Sequence, residues 1–227
     1  MTGAMRELLG VPRMTVIPNG TDLERFRSVP REPARRALGW DQAETIVLFP
    51  WDPARPGKRF GLAQAAVACA RSLGARISLV SFHSCAQEEY NAALNAADFC
   101  LLTSKWEGSP NAVRESLAVG LPVVSVPVGD APEMLAGIEH CRICAADAET
   151  LGRALLELDQ LRRESGGVLR CPGRERATGF SLTSTARKID RLYRLLLAGV
   201  RDPERIEHEI ATAASSQRGS QTAPGPR

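Results

Sequence analysis

The chain contains no apolar run approaching the ~20 residues that a membrane-crossing helix needs, and no charged start followed by an apolar stretch of the kind that directs secretion. Charge of one sign is also lacking. Lys and Arg number 29 against 26 Asp and Glu, a formal net charge of +3, and the aromatic residues, 5% of the chain, are not interleaved with basic clusters. That balance removes nucleic acid from the expected partners. No Asp-x-Asp pair is present to hold a divalent cation. Cys141-Arg142-Ile143-Cys144 has no second Cys-x-x-Cys to complete a zinc site, and on the strand expected there its two thiols point to opposite faces. The six cysteines, at positions 69, 85, 100, 141, 144 and 171, lie mostly within apolar patterns and read as buried thiols in a reducing, cytoplasmic compartment.

What is present suits one α/β domain: 44% hydrophobic and 24% charged residues over 227 positions, enough for a single good core. The organising stretch runs from Ala97 to Val128. Two short apolar runs, Phe99 to Leu102 and Val123 to Val126, read as buried strands. Between them Ser109 is placed to cap a helix, Pro110 takes its first position, Gly120 supplies a left-handed stop and Pro122 prevents continuation. Further strands are predicted at Thr45 to Phe49, Arg76 to Phe82 and Cys141 to Cys144. Helices are predicted at Met1 to Gly10, Ala34 to Leu38, Arg59 to Leu73 and Gln87 to Ala96, with a short one beginning at Met134 and Leu135. Val16 to Pro18 reads as an extended piece and Asn19-Gly20 as a turn.

Toward the C-terminus, Leu151, Leu155, Leu158 and Leu161 repeat at helical spacing, as do Ile189, Leu192, Leu195 and Leu196. This predicts two amphipathic helices that cover the sheet, with Arg162, Arg163, Arg170, Arg174 and Arg176 between them as a solvated face. The fold class is therefore α/β, a single Rossmann-like parallel sheet flanked by helices, over residues 1–200. Residues 201–227 form a helical extension and a tail, and from Ala214 onward nothing is available to bury, so disorder is expected there.

Two carboxylates mark the central unit, Glu107 in the loop before the helix and Glu115 on its second turn, with seven residues between them. That loop, Trp106-Glu107-Gly108-Ser109-Pro110-Asn111, leads into a helix N-terminus, whose unpaired N–H groups and dipole favour an anion such as phosphate. Loops at the carboxyl ends of parallel strands are where ligands bind. A carboxylate beside a phosphate seat would repel it, so Glu107 and Glu115 are expected to face uncharged, hydroxyl-bearing parts of the ligand. A phosphate flanked by sugars, a nucleotide sugar, satisfies both demands. After the first strand, a loop with three prolines carries Arg55 and Lys58, cations held stiffly enough to brace a diphosphate.

The stretch E-G-S-P-N-A-V-R-E-S-L-A-V-G-L-P-V-V resembles the E-x7-E signature of retaining GT-B glycosyltransferases, in particular glycosyltransferase family 4. Val16-Ile17-Pro18-Asn19-Gly20-Thr21-Asp22 with Phe26 is similar to the segment opening that family's C-terminal, donor-binding domain. The loop through Arg55-Pro56-Gly57-Lys58-Arg59-Phe60 resembles its basic phosphate loop, in a branch associated with bacterial cell-surface polysaccharide synthesis, and Val128-Gly129-Asp130-Ala131-Pro132-Glu133 fits its G-x-x-P-E turn. One departure stands out: the commoner pattern has its arginine earlier and a glycine after the lysine, where this chain has Pro53 and Arg59, so Arg55 is an inferred substitute.

The resemblance implies transfer from a UDP- or GDP-linked sugar to a glycan or lipid-linked acceptor, with no metal and no other cofactor. Glu107 would meet the donor sugar, Glu115 the ribose diol, and the backbone of Gly108, Ser109, Pro110, Asn111, Ala112 and Val113 the phosphates, while Phe82 and His83 would flank the base. It also implies an acceptor-binding domain or subunit outside this chain, and a cytoplasmic site of action compatible with peripheral association at the inner membrane face. The alternatives are a non-catalytic nucleotide-sugar-binding or regulatory subunit, a truncated inactive fragment, and a GT-B epimerase, which the motif fits less well.

Overall fold

The computed structural model describes residues 15–213. The helix predicted at Met1 to Gly10 and the tail from Ala214 lie outside them. Five short segments form the strands: β1 (Thr45–Phe49), β2 (Ile77–Ser81), β3 (Phe99–Leu102), β4 (Val123–Ser125) and β5 (Arg142–Ile143). All pairings are parallel, in the order β2-β1-β3-β4-β5. Phe49 is in register with Ser81 and Leu102 with Ser125, so the loops that follow β1, β2, β3 and β4 emerge along one edge. The order reverses between β1 and β3, and a sheet of this kind opens a crevice there. β1 and β3 are buried at every residue, as strands covered on both faces must be.

Helices α1 (Arg31–Leu38), α2 (Phe60–Ser72), α3 (Gln87–Ala96), α4 (Asn111–Val119) and α5 (Ala131–Leu135) follow the strand pattern, and α6 (Ala148–Glu164) packs across α2. Gly39 and Gly120 close α1 and α4 in the left-handed region, at φ 67° and 75°, as their sequence positions demand. Beneath the sheet, Arg35 is fully buried and donates to Asp98 at 2.7 Å, while Asp98 also accepts the Ile46 N–H at 2.8 Å. α7 (Arg174–Thr178) packs on α4, and the chain closes with α8 (Leu182–Leu197) and α9 (Pro203–Ala213).

Several expectations are corrected. The cap of α4 is Pro110 rather than Ser109, whose hydroxyl is engaged elsewhere. α2 starts at Phe60, because a 3-10 turn at Pro56–Lys58 precedes it and Arg59 is left-handed at φ 52°. Met134 and Leu135 end α5 instead of beginning it. The turn expected at Asn19-Gly20 lies instead at Leu23–Arg25, where the Asp22 carboxylate accepts the N–H groups of Glu24 and Arg25 at 3.1 and 3.0 Å. Gly20 instead permits close packing, since a Cβ there would sit 2.7 Å from the Leu182 Cα.

Of the two amphipathic helices expected to cover the sheet, α6 takes part in the main core and α8 does not. α8 packs on α9, around a small cluster of Leu195, Ile206 and Ile210. The basic residues expected in solvent mostly close carbonyls: Arg170 donates to the Asn95 carbonyl at 2.8 Å, Arg174 to that of Ala118 at 2.7 Å, Arg176 to that of Glu133 at 3.0 Å and Arg162 to that of Gly167 at 2.6 Å. A planar guanidinium with five donors suits this role. Arg163 keeps to the surface, 43% exposed, paired with Asp159.

Candidate functional site

Two loops on the carboxyl edge are laced to each other. Asp52 Oδ1 accepts the Ala54 N–H at 2.8 Å, which with Pro50, Pro53 and Pro56 stiffens the loop after β1. Thr103 Oγ1 donates to the Lys58 carbonyl at 2.7 Å, Arg59 Nε to the Thr103 carbonyl at 2.6 Å, and the Lys105 N–H to the Gly57 carbonyl at 2.8 Å. These bonds hold Lys58 opposite Glu107. The two form an ion pair, their side chains 12% and 17% exposed, and the Lys58 ammonium also lies 4.5 Å from the centre of the Trp51 ring.

The start of α4 is clamped from the other side. Ser109 Oγ donates to Asp130 Oδ2 at 2.5 Å and accepts from Arg114, which also donates to the Ser109 carbonyl at 3.2 Å and to Asn111 Oδ1. Arg114 is fully buried, and burial lowers its pKa while Asp130 and Glu115 oppose the shift. The turn at Gly129, φ 56°, presses against Gly108, and the Asp130 N–H donates to the Gly108 carbonyl at 3.2 Å. A Cβ at position 129 would lie 2.3 Å from that carbonyl oxygen. Pro110 has no N–H, and that of Val113 reaches the Pro110 carbonyl at 3.2 Å. Of the backbone expected to meet the phosphates, Pro110 and Val113 therefore offer no free N–H, and those of Gly108, Ser109, Asn111 and Ala112 remain.

Two adjoining cavities open here. The larger, about 850 Å³, is lined by Arg55, Lys58, Glu107 and Gly108 together with Pro56 and Trp106. The smaller, about 370 Å³, is lined by Trp51, Asp52, Arg55, Phe82, His83 and Tyr90. Arg55 faces both. Phe82 stacks edge-on against Trp40, ring centres 5.9 Å apart, and His83 lies 4.0 Å from Asp52. The structure thus gathers Arg55, Lys58, Glu107, Gly108, Phe82 and His83 around one crevice. Ala112 and Val113 are buried, and of these two only the Ala112 N–H is left to bond a ligand.

Glu115 lines neither cavity. Its carboxyl is pushed up to about 7 by burial, against the hydrogen bond from Tyr90 and the charge of Arg114. Tyr90, which lines the smaller cavity, stands beside it, and its hydroxyl is shifted well above the usual phenol range by burial and then by Glu115. Tyr90, Trp106, Arg114 and Asp130 escape the sequence reading. Arg114 and Asp130 stand inside motifs already quoted, but only the fold places one against the other. Among the described residues, no group of three or more His, Cys, Asp or Glu is placed to hold a metal ion, and no helix is long and apolar enough to cross a membrane.

A helix start, a basic loop laced to the loop that leads into it and a sheet that reverses at the crevice are now in place. Residues 57–160 match the family model of glycosyl transferases group 1. No curated protein matches the chain significantly. Among solved structures, sucrose-phosphate synthase from Thermosynechococcus elongatus is similar at a TM-score of 0.69 and 23% identity, over 88% of this chain and 58% of that one. HepE of Anabaena, in complex with UDP and glucose, aligns at 0.55 and 17%, over 89% of this chain and 56% of that one. The C-terminal domain of LpcC, a glycosyl transferase group 1 family protein from Francisella tularensis, aligns at 0.55 and 16%, over 72% of this chain and 100% of that one. The architecture is that of a GT-B C-terminal domain, and the chain spans a little over half the length of the first two of these neighbours. The glycosyl transferases group 1 match covers a little under half of the chain, and the solved structures share its fold.

Proposed function

We propose that this chain is the donor-binding part of a retaining glycosyltransferase of family 4, taking a hexosyl group from a UDP- or GDP-linked sugar for cell-surface polysaccharide synthesis. The observation that carries the reading is the Lys58–Glu107 pair in the lining of the larger cavity, beside Arg55, with Glu107 in the loop that leads into α4. In the transition state of such a transfer the sugar gains positive character while the diphosphate leaves. Arg55, Lys58 and the N–H groups of Ser109, Asn111 and Ala112 hold the departing charge, fixed beforehand so that little rearrangement is needed. Glu107 accepts hydrogen bonds from the sugar hydroxyls near the developing cation. Glu115 takes the ribose diol, with Tyr90 beside it, and Phe82 and His83 flank the base in the smaller cavity. No metal is required in this scheme. The acceptor, a glycan or a lipid-linked sugar, is held by a domain or subunit other than this fold. HepE's complexes with UDP and glucose and with UDP-glucose support the choice of ligand.

The test is a melting-temperature screen with UDP, GDP and their hexose conjugates. A ligand that binds only the native state stabilises it by mass action, by about 2.7 kcal/mol at a hundred times its dissociation constant, and so raises the midpoint. One nucleotide series is expected to stabilise the protein and Lys58→Ala to abolish the effect. A flat response to both series would overturn the reading.

A further inference from the structure

Trp106 is 64% exposed, although it sits beside the mostly buried Glu107 in the wall of the larger cavity. Leaving an indole in water forgoes about 25 cal/mol for every Å² not buried, so folding alone gives no reason for it to be there. Nor is it loose. The Lys105 N–H donates to the Gly57 carbonyl at 2.8 Å, the Lys105 ammonium lies 4.6 Å from the centre of the indole, and a Cβ on Gly57 would lie 3.6 Å from Trp106 Nε1. The ring is mounted on the lacing between the two loops. With Ala54 and Pro56 it forms an apolar wall, and Arg55, Lys58 and Glu107 form a charged floor.

A pyranose has that same division, with C–H groups on its faces and hydroxyls around its edge. We propose that Trp106 is the platform on which a sugar ring stacks, its hydroxyls turned toward Glu107 and Lys58. This deepens the functional reading above and rests on it for the identity of the nucleotide. The ring could belong to the donor or to a sugar of the acceptor, and one set of variants separates the two sources. Loss of the platform is expected to weaken the stacked ring's binding about tenfold.

The experiment uses the whole chain, with Trp106→Ala and Trp106→Phe; because the residue is exposed, both are expected to melt with the parent. Calorimetry compares UDP with UDP-glucose and GDP with GDP-mannose. For a donor ring, Trp106→Ala weakens the sugar nucleotide about tenfold and leaves the free nucleotide unchanged, while Trp106→Phe stays within about threefold. For an acceptor ring, both nucleotide affinities hold. The quenching of tryptophan emission by methyl α-glucoside and methyl α-mannoside, at saturating nucleotide, then disappears in Trp106→Ala. Equal weakening of free and sugar-linked nucleotide would mean that a base stacks there, and that result, or no change in either arm, overturns the proposal. If the parent binds no nucleotide, the functional reading falls, and quenching by the glycosides alone decides for or against Trp106.

Discussion

Lys58 donates to the carboxylate of Glu107 across the mouth of the larger cavity, with less than a fifth of either side chain exposed. In the free protein the cation proposed for the diphosphate and the acid proposed for the sugar neutralise each other. Each charge is partly buried against the other, so neither is desolvated without a partner. A donor that takes both contacts must exchange this pair for two new ones.

The pair should therefore show coupling. Lys58→Ala and Glu107→Gln are each expected to lower stability, and the double variant to lose less than their sum, with an interaction energy of about 0.5–3 kcal/mol in urea unfolding. Both single variants should lose donor binding while still unfolding cooperatively. Additive stabilities would mean the contact is slack, and unimpaired donor affinity in either variant would remove that residue from the site.

Arg114 is a second buried cation, and its partners differ. It holds Ser109 and Asn111 from below, and Ser109 in turn holds Asp130. Arg114→Met fills much of the space but strands Asp130, one of whose carboxylate oxygens is already buried without a partner. Breaking a buried charge network from one side costs about 3–5 kcal/mol. Adding Asp130→Asn should return part of that loss. No recovery in the double variant would show that Arg114 acts through Ser109 alone.

Much of this was legible in the residues and some was not, for physical reasons. β1 and β3 announce themselves as short apolar runs between polar or proline residues, and Gly39 and Gly120 stop helices by a local conformational rule. The cap of α4 was misassigned because Ser109 has the right chemistry at nearly the right place. Its hydroxyl was claimed by Asp130, 21 positions along the chain, which no local rule can see. The same holds for Arg162, Arg170, Arg174 and Arg176, whose run of charge looks solvated until tertiary structure brings carbonyls to them. At the candidate site, the motif residues Arg55, Lys58, Glu107 and Gly108 line one cavity while Glu115 lies outside it; Tyr90, a single aromatic with no pattern around it, gave no signal, and Trp106 was quoted only as the start of the Glu107 loop.

Gly129 is expected to be intolerant of even a methyl group. It has φ 56°, and a Cβ would overlap the Gly108 carbonyl oxygen at 2.3 Å. Gly39 is the control, because its φ of 67° is similar but nothing lies within 4 Å of an added Cβ. Gly39→Ala should cost only the left-handed penalty, about 1–2 kcal/mol. Gly129→Ala should cost more and also weaken donor binding, since Gly108 cannot yield without moving Glu107. Equal losses in the two variants, with donor affinity unchanged, would show that the turn does not set the loop.

Glu115 makes the protein's stability depend on pH in a direction opposite to that of a salt-bridged carboxylate. Its pKa in the folded chain is raised from 4.5 to about 7 by burial. Below the unfolded value the group is protonated in both states and costs nothing. Between that value and about 7 the folded chain binds more protons than the unfolded one, so stability falls as pH rises, and it levels off above. At 1.36 kcal/mol per unit the loss is of order 3 kcal/mol. Glu115→Gln keeps an acceptor for Tyr90 and cannot ionise. Its melting temperature should match the parent's near pH 4.5 and exceed it by pH 8. Parallel curves across that window would show that Glu115 is already ionised at its place beside Tyr90, and its carboxylate would then be available to a ribose without a proton leaving.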